Sequence, residues 1–137
     1  MQQQTEKRFA AVMDHIAVNS EDIGRDVDEY QRIGFHVESL YEDWAMLRDG
    51  RGFGIALLGP GSKHPPHFGL RVETHEALEE AAGQENRPIK EHRDRSLSFY
   101  TKGIGGNVVE VVYYPPELGG RDEESQSSTA QTFERRA

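Results

Sequence analysis

Cysteine is absent from this 137-residue chain. That removes disulfides, zinc–thiolate sites and thiol nucleophiles from the chemistry available to it. Long apolar runs are missing as well. The longest cover a few residues, such as Ile55 to Leu58, far short of the roughly 20 needed to cross a bilayer as a helix. Basic charge is scarce: 16 Lys and Arg stand against 24 Asp and Glu, for a formal net charge of −8. A nucleic-acid partner needs a concentrated basic surface, so none is expected, and no membrane partner either. The acidic excess reads as a solubility feature. Met1 to Arg8 is polar, without the apolar centre of a secretory signal, and the expected location is cytoplasmic.

The length suits one domain and not two. Residues 1–11 are Gln-rich and polar, and residues 117–137 carry Gly-Gly, Asp-Glu-Glu and Ser-Gln-Ser-Ser-Thr. Both read as tails with too little apolar surface to order themselves, although Thr132 to Arg136 has the makings of a short docking helix. The domain is expected over residues 12–116.

Within that span strand and helix signals alternate. Met13 to Val18 is a short apolar run carrying one His. Ser20 can cap a helix with Glu21 and Asp22 in its first turn, and Ile23, Val27 and Tyr30 recur at helical spacing up to Gly34. Phe35 to Tyr41, Trp44 to Arg48 and Phe53 to Leu58 read as strands, the last two joined by a hairpin turn at Asp49 to Gly52. A run of breakers, Gly59 to Pro66, resets the pattern. His67 to Val72 is then a strand, Thr74 can cap a helix presenting Leu78, Ala81 and Ala82, and Ile89 to His92, Leu97 to Thr101 and Val108 to Tyr114 read as strands.

The chain is thus two copies of strand–helix–three strands. Asp-His-Ile-Ala-Val at 14–18 matches Pro-His-Phe-Gly-Leu at 66–70, with the histidines 52 positions apart. Gly52 to Pro60 matches Asn107 to Pro115 at an offset of 55, which sets Ile55 opposite Glu110. Alternating helices also suit a doubly wound parallel sheet, but the tight hairpin and the three-strand runs argue for antiparallel pairing. The expected architecture is α+β, with two βαβββ modules forming curved mixed sheets around a cleft.

His15 in Met-Asp-His-Ile-Ala-Val, His67 in Pro-Pro-His-Phe-Gly-Leu-Arg-Val, and Phe99-Tyr100 followed by Gly105-Gly106-Asn107-Val108-Val109-Glu110 occur in that order. Together they resemble the vicinal oxygen chelate superfamily of glyoxalases, bleomycin-resistance proteins and extradiol dioxygenases, over about Met13 to Pro115. The resemblance implies one divalent metal (Fe, Mn, Zn or Ni) held by His15, His67 and Glu110, with Glu110 also in a catalytic role. Glyoxalase I and methylmalonyl-CoA epimerase resemble a four-ligand version. Here the strand Phe53 to Leu58 carries no fourth ligand, so the set is closer to that of extradiol dioxygenases and fosfomycin-resistance enzymes. The residue chemistry agrees. Two imidazoles and a carboxylate suit these ions and leave positions open for a bidentate substrate. A carboxylate between Val108 and Val112 on a strand face is costly unless it is paired, protonated or bound to metal. His64 is a competitor for His67, though it precedes the strand. His36, His75 and His92 have no matching partner and read as surface or structural. Arg71, Tyr100, Trp44, Arg48 and Ser98 are the candidate substrate contacts.

Two functions are compatible with these residues. One is a metal-dependent lyase, isomerase, transferase or dioxygenase acting on a small oxygenated substrate. Ring-cleaving dioxygenases resemble a longer chain with two paired domains, which argues against that member of the class. The other is a metal-free protein that sequesters an aromatic or antibiotic-like compound, as bleomycin-binding members do. The resemblance also implies a homodimer with shared sites, His15 from one chain and His67 with Glu110 from the other. The strands from Met13 and His67, each in need of a neighbour, would pair across the two-fold axis.

Overall fold

The computed structural model describes residues 10–116. The segments expected as tails, apart from Ala10 and Ala11, and the helix expected at Thr132 to Arg136 lie outside the described residues. The first module runs β1 (Val12–Asn19), α1 (Ile23–Arg32), β2 (His36–Tyr41), β3 (Trp44–Arg48) and β4 (Gly54–Leu58). The second runs β5 (His67–Arg71), α2 (His75–Glu85), β6 (Lys90–Glu91), β7 (Leu97–Lys102) and β8 (Val108–Tyr113). All eight strands form one curled mixed sheet in the order β2-β3-β4-β1-β5-β8-β7-β6. Each module contributes one parallel contact, β1 with β4 and β5 with β8, and every other pairing is antiparallel.

Local chemistry accounts for most boundaries. Thr74 caps α2 by accepting from the Ala77 amide at 3.0 Å. Asn86 in the left-handed region ends it, a conformation that Asn tolerates better than most residues. For α1 the cap is Asp22, which accepts from the Arg25 amide at 3.0 Å. Ser20, the expected cap, instead donates to Asp26 Oδ2 at 2.7 Å. Gly52, at a φ of 91°, closes the β3–β4 turn with its amide bonded to Asp49 O, while Asp49 Oδ1 accepts from the Arg51 and Phe53 amides.

The two faces of the sheet carry different residues. Helix α1 packs on β2 and β3, and α2 on β7 and β8. Ile23 and Val27 of α1 pack on Ala45, Leu47 and Leu57 of the sheet. Leu78, Ala81 and Ala82 of α2 pack with Val72, Phe99, Val109 and Val111. Strand alternation sends the intervening residues, Met46, Ala56, Tyr100, Glu110 and Val112, to the other face, where they line a cavity of about 730 Å³.

Two sequence expectations are corrected by the sheet. Strand β1 is paired on both sides, with β4 and β5, and β5 likewise with β1 and β8. Neither has the free edge on which pairing across a dimer axis was argued, because each serves as the other's neighbour. The repeat offset is also off by one at β4. In the sheet register Gly69 pairs with Glu110, and its repeat counterpart Ala17 pairs with Ala56. The residue opposite Glu110 is therefore Ala56, in the cavity wall, while Ile55 packs on the α1 side. A one-residue slip exchanges the faces of a strand. Neither residue is a ligand, so β4 still supplies none.

This register is testable by urea denaturation. Ile55→Glu drives a charge between β4 and α1 and should cost about 3 kcal/mol or more. Ala56→Glu opens into the cavity and should cost clearly less. Equal losses would mean that the faces of β4 are assigned wrongly.

Candidate metal centre

Three neighbouring strands deliver His15 (β1), His67 (β5) and Glu110 (β8) to one point on the cavity floor. His15 Nε2 lies 3.2 Å from Glu110 Oε1, His67 Nε2 lies 3.3 Å from the same oxygen, and the two Nε2 atoms are 3.4 Å apart. All three side chains are almost wholly buried. The trio is complete within one chain, so the division of ligands between two chains is not needed to assemble it.

The other ring nitrogens are engaged elsewhere. His67 Nδ1 is 2.7 Å from the Pro65 carbonyl oxygen, which can only accept, so Nδ1 carries the proton. His15 Nδ1 is 2.7 Å from Asp14 Oδ2. In their neutral forms both rings thus turn an unprotonated Nε2 toward a carboxylate oxygen. Three acceptors that converge in this way need a proton or a cation between them. Donors about 2.1 Å from one ion and about 90–110° apart lie about 3.0–3.4 Å from each other, and the observed spacings fall in that range. The residues fit a divalent metal.

Without a metal, protons do the same work. Burial opposes charge on His15, but hydrogen bonds to Asp14 and Glu110 outweigh it and raise the ring to about 9. Burial would likewise raise Glu110, yet its bonds from His15 and His67 hold the carboxyl well below the usual range. Burial first, then the neighbouring Glu110 charge, pushes the Tyr100 phenol up. Tyr100 is therefore a neutral donor facing the site.

Of the five expected substrate contacts, Trp44 and Tyr100 line the cavity. Ser98 is fully buried beneath it and bonds His92 Nε2 at 2.6 Å. Arg48 and Arg71 do not line it. Their guanidinium groups turn to Asp14 Oδ1, at 3.1 and 3.3 Å, because that buried carboxylate draws them away from the cleft. Sequence reasoning passed over His92, whose Nε2 is 3.6 Å from Glu110 Oε2, and gave His64 no role beyond competing with His67. His64 stacks on Tyr100, with Nδ1 3.2 Å from the phenol oxygen. Both histidines line the cavity. A breaker-rich loop and a two-residue strand carry no face pattern that would have marked them. At the rim, Arg93 Nη2 meets Asp43 Oδ1 at 2.6 Å and joins the β6–β7 turn to the β2–β3 turn.

No family model matches the chain, and no curated protein matches it. Solved structures do. Methylmalonyl-CoA epimerase from Mycobacterium tuberculosis superposes with a TM-score of 0.58 at 18% identity, covering 86% of this chain and 97% of that one. The vicinal oxygen chelate fold is the fold of this chain. The 2,2',3-trihydroxybiphenyl 1,2-dioxygenase of Sphingomonas wittichii strain RW1 gives a TM-score of 0.56 at 18% identity, over 77% of this chain and 46% of that one. The Mn(II)-bound glyoxalase of Novosphingobium aromaticivorans gives 0.55 at 19%, over 74% of this chain and 37% of that one. This chain spans less than half the length of the latter two.

The geometry predicts two outcomes. A Cβ at Gly69 would lie 2.6 Å from His15 Nδ1 and closer still to Cε1, so Gly69→Ala should displace the ring. Metal affinity, read by calorimetry, should fall at least about 10-fold, as when a ligand loses its support. Unchanged affinity would show that the ring has another place to sit. The second outcome concerns pH. The metal-free folded chain holds the His15 proton more tightly than the unfolded chain does. The stability it contributes is complete below about pH 6.5 and is lost as pH rises through about 9. The melting temperature of metal-free protein should drop across that window, and the drop should shrink in His15→Gln.

Proposed function

We propose that the protein is a divalent-metal-dependent enzyme acting on a small substrate that presents two neighbouring oxygens. The observation that carries this reading is the convergence of three buried acceptor atoms, 3.2–3.4 Å apart, on the floor of an open cavity. Enzymes of this fold include an epimerase, a dioxygenase and a glyoxalase, and the last is Mn(II)-bound. A bound ion would supply Lewis acidity to the substrate oxygens.

The chain's own residues divide the remaining work. Trp44, Met46 and Ala56 give the cavity an apolar wall for the carbon skeleton. Tyr100 offers an O–H beside Glu110, and His64 and His92 stand next to it as groups able to take up or release a proton. Burial lowers His64 below the ordinary histidine value. The reading covers lyase, isomerase, transferase and dioxygenase chemistry alike. The rival reading, a metal-free sequestering protein, gives no use for three converging acceptors at the base of the cleft.

The test is metal binding by chelator-treated protein. Calorimetry with Mn(II), Zn(II) and Ni(II), and anaerobically with Fe(II), should find one ion per chain for at least one of them. His15→Ala, His67→Ala and Glu110→Ala should each weaken it by about 100-fold or more. Wild-type protein that takes up no ion at micromolar concentrations, or three variants that bind as well as wild type, would overturn the proposal.

A further inference from the structure

Behind the trio lies a second polar cluster that the proposed chemistry does not use. Asp14 is 1% exposed, adjacent in sequence to a ligand, on a strand whose alternation should send it to the opposite face. It does not go there. Between Met13 and His15 the β1–β5 register shifts: Met13 pairs with Leu70 and His15 with Gly69, leaving Asp14 as the extra residue of a bulge. A bulge lets two successive side chains lean to one side and is a recurrent way of aiming a side chain at a site. Here it brings Asp14 Oδ2 to 2.7 Å from His15 Nδ1.

The carboxylate is itself held from three sides. Tyr114 donates its hydroxyl to Oδ2 at 2.7 Å. Arg48, 8% exposed, reaches Oδ1 at 3.1 Å and the Asp14 carbonyl oxygen at 3.0 Å, while Glu38 holds its Nε at 2.9 Å. Arg71 adds a contact to Oδ1 at 3.3 Å. Room for Arg48 comes from Gly54, where a Cβ would stand 2.8 Å from Nη1. So many partners on one carboxylate leave it a single orientation. An unpaired Asp at this depth would be costly, and a hydrophobic residue could have filled the space, so the cluster calls for an explanation.

We propose that Asp14 is the positioning residue of the metal centre. It accepts the Nδ1 proton of His15, fixes the tautomer and rotation of that ring, and so aims Nε2 at the ion. Arg48, Tyr114 and Arg71 hold its carboxylate in place. His67 is oriented differently, by the Pro65 carbonyl. The centre thus has one histidine aimed by a charged side chain and one by the backbone. The inference rests on the metal-site reading above.

The experiment measures Zn(II) and Co(II) affinity of purified wild type, Asp14→Asn and Asp14→Ala, together with their metal-free melting curves. Asp14→Asn keeps shape and one acceptor oxygen, so it carries the test if Asp14→Ala fails to fold. Affinity should fall about 10–100-fold in Asp14→Ala and less in Asp14→Asn. The Co(II) absorption bands should shift in both. In nitrogen-edited spectra of the Zn(II) form, the His15 Nδ1–H signal should be slow to exchange in wild type and lost in Asp14→Ala. The His67 Nδ1–H signal should persist in both and serves as the internal control. Folded variants with wild-type affinity and an unchanged His15 signal would overturn the inference while leaving the metal reading intact. Wild-type protein that binds neither ion, and none of Mn(II), Ni(II) and Fe(II), would instead bring down the metal reading, and this inference with it.

Discussion

The antiparallel pairing of β1 with β5 is the constraint on which the site depends. It joins the two modules, and its register sets Ala17 opposite His67 and His15 opposite Gly69. Each histidine therefore lies across a small residue of the other strand. At Gly69 the condition is strict, because any Cβ would run into the His15 ring. The parallel pairing of β5 with β8 then puts Glu110 beside Gly69. The three donor atoms come from three adjacent strands at one level of the sheet. A slip of one residue in either ladder would turn a ligand toward the helices.

This arrangement leaves the middle of the sheet unusually polar. The apolar residues form separate clusters, one at each helix and a smaller one of Ala17, Met46, Ala56 and Leu58, while Asp14, His15, Arg48 and Glu110 are buried near the seam. Buried charges of this kind are tolerated when each is paired. Asp14 meets Arg48, Arg71, Tyr114 and His15, and Glu110 meets His15, His67 and Tyr100. Backbone ladders hold the modules together across a seam whose side chains are committed to polar contacts.

Features that obey a simple period were legible in the sequence. The internal repeat paired His15 with His67 and outlined the two βαβββ modules, while Glu110 was reached through the resemblance of its segment to the vicinal oxygen chelate pattern; all three residues sit inside regular strands. Irregular features escaped. Asp14 was hidden by its bulge, since alternation alone sends neighbours to opposite faces. Ala56 was mistaken for Ile55 because the offset was read from the turns, while the strand register differs from it by one. Arg48 and Arg71 stand on strands near the site and read as substrate contacts, but a buried carboxylate unseen in the pattern claims both. His92 lies outside any run long enough to show a face.

The repeat is a symmetry of the backbone that the side chains break. Two-fold related modules offer four ligand positions at the seam: His15 and His67, and the pair Ala56 and Glu110. Filling three of them makes the two sides of the cavity chemically unlike. Toward the first module the wall is Trp44, Met46 and Ala56. Toward the second it is Glu110, Tyr100, His64 and His92, all polar. For the proposed chemistry this asymmetry sets an orientation. A substrate whose oxygens reach the donor trio would turn its apolar part to the first module and its reacting bonds to the second. A fourth ligand at Ala56 would occupy a coordination position on the apolar side and replace part of that wall with charge. On the proposed metal reading, the lack of a donor at Ala56 would leave the space beside the trio bordered by hydrocarbon, where a substrate oxygen would meet little competition from polar side chains.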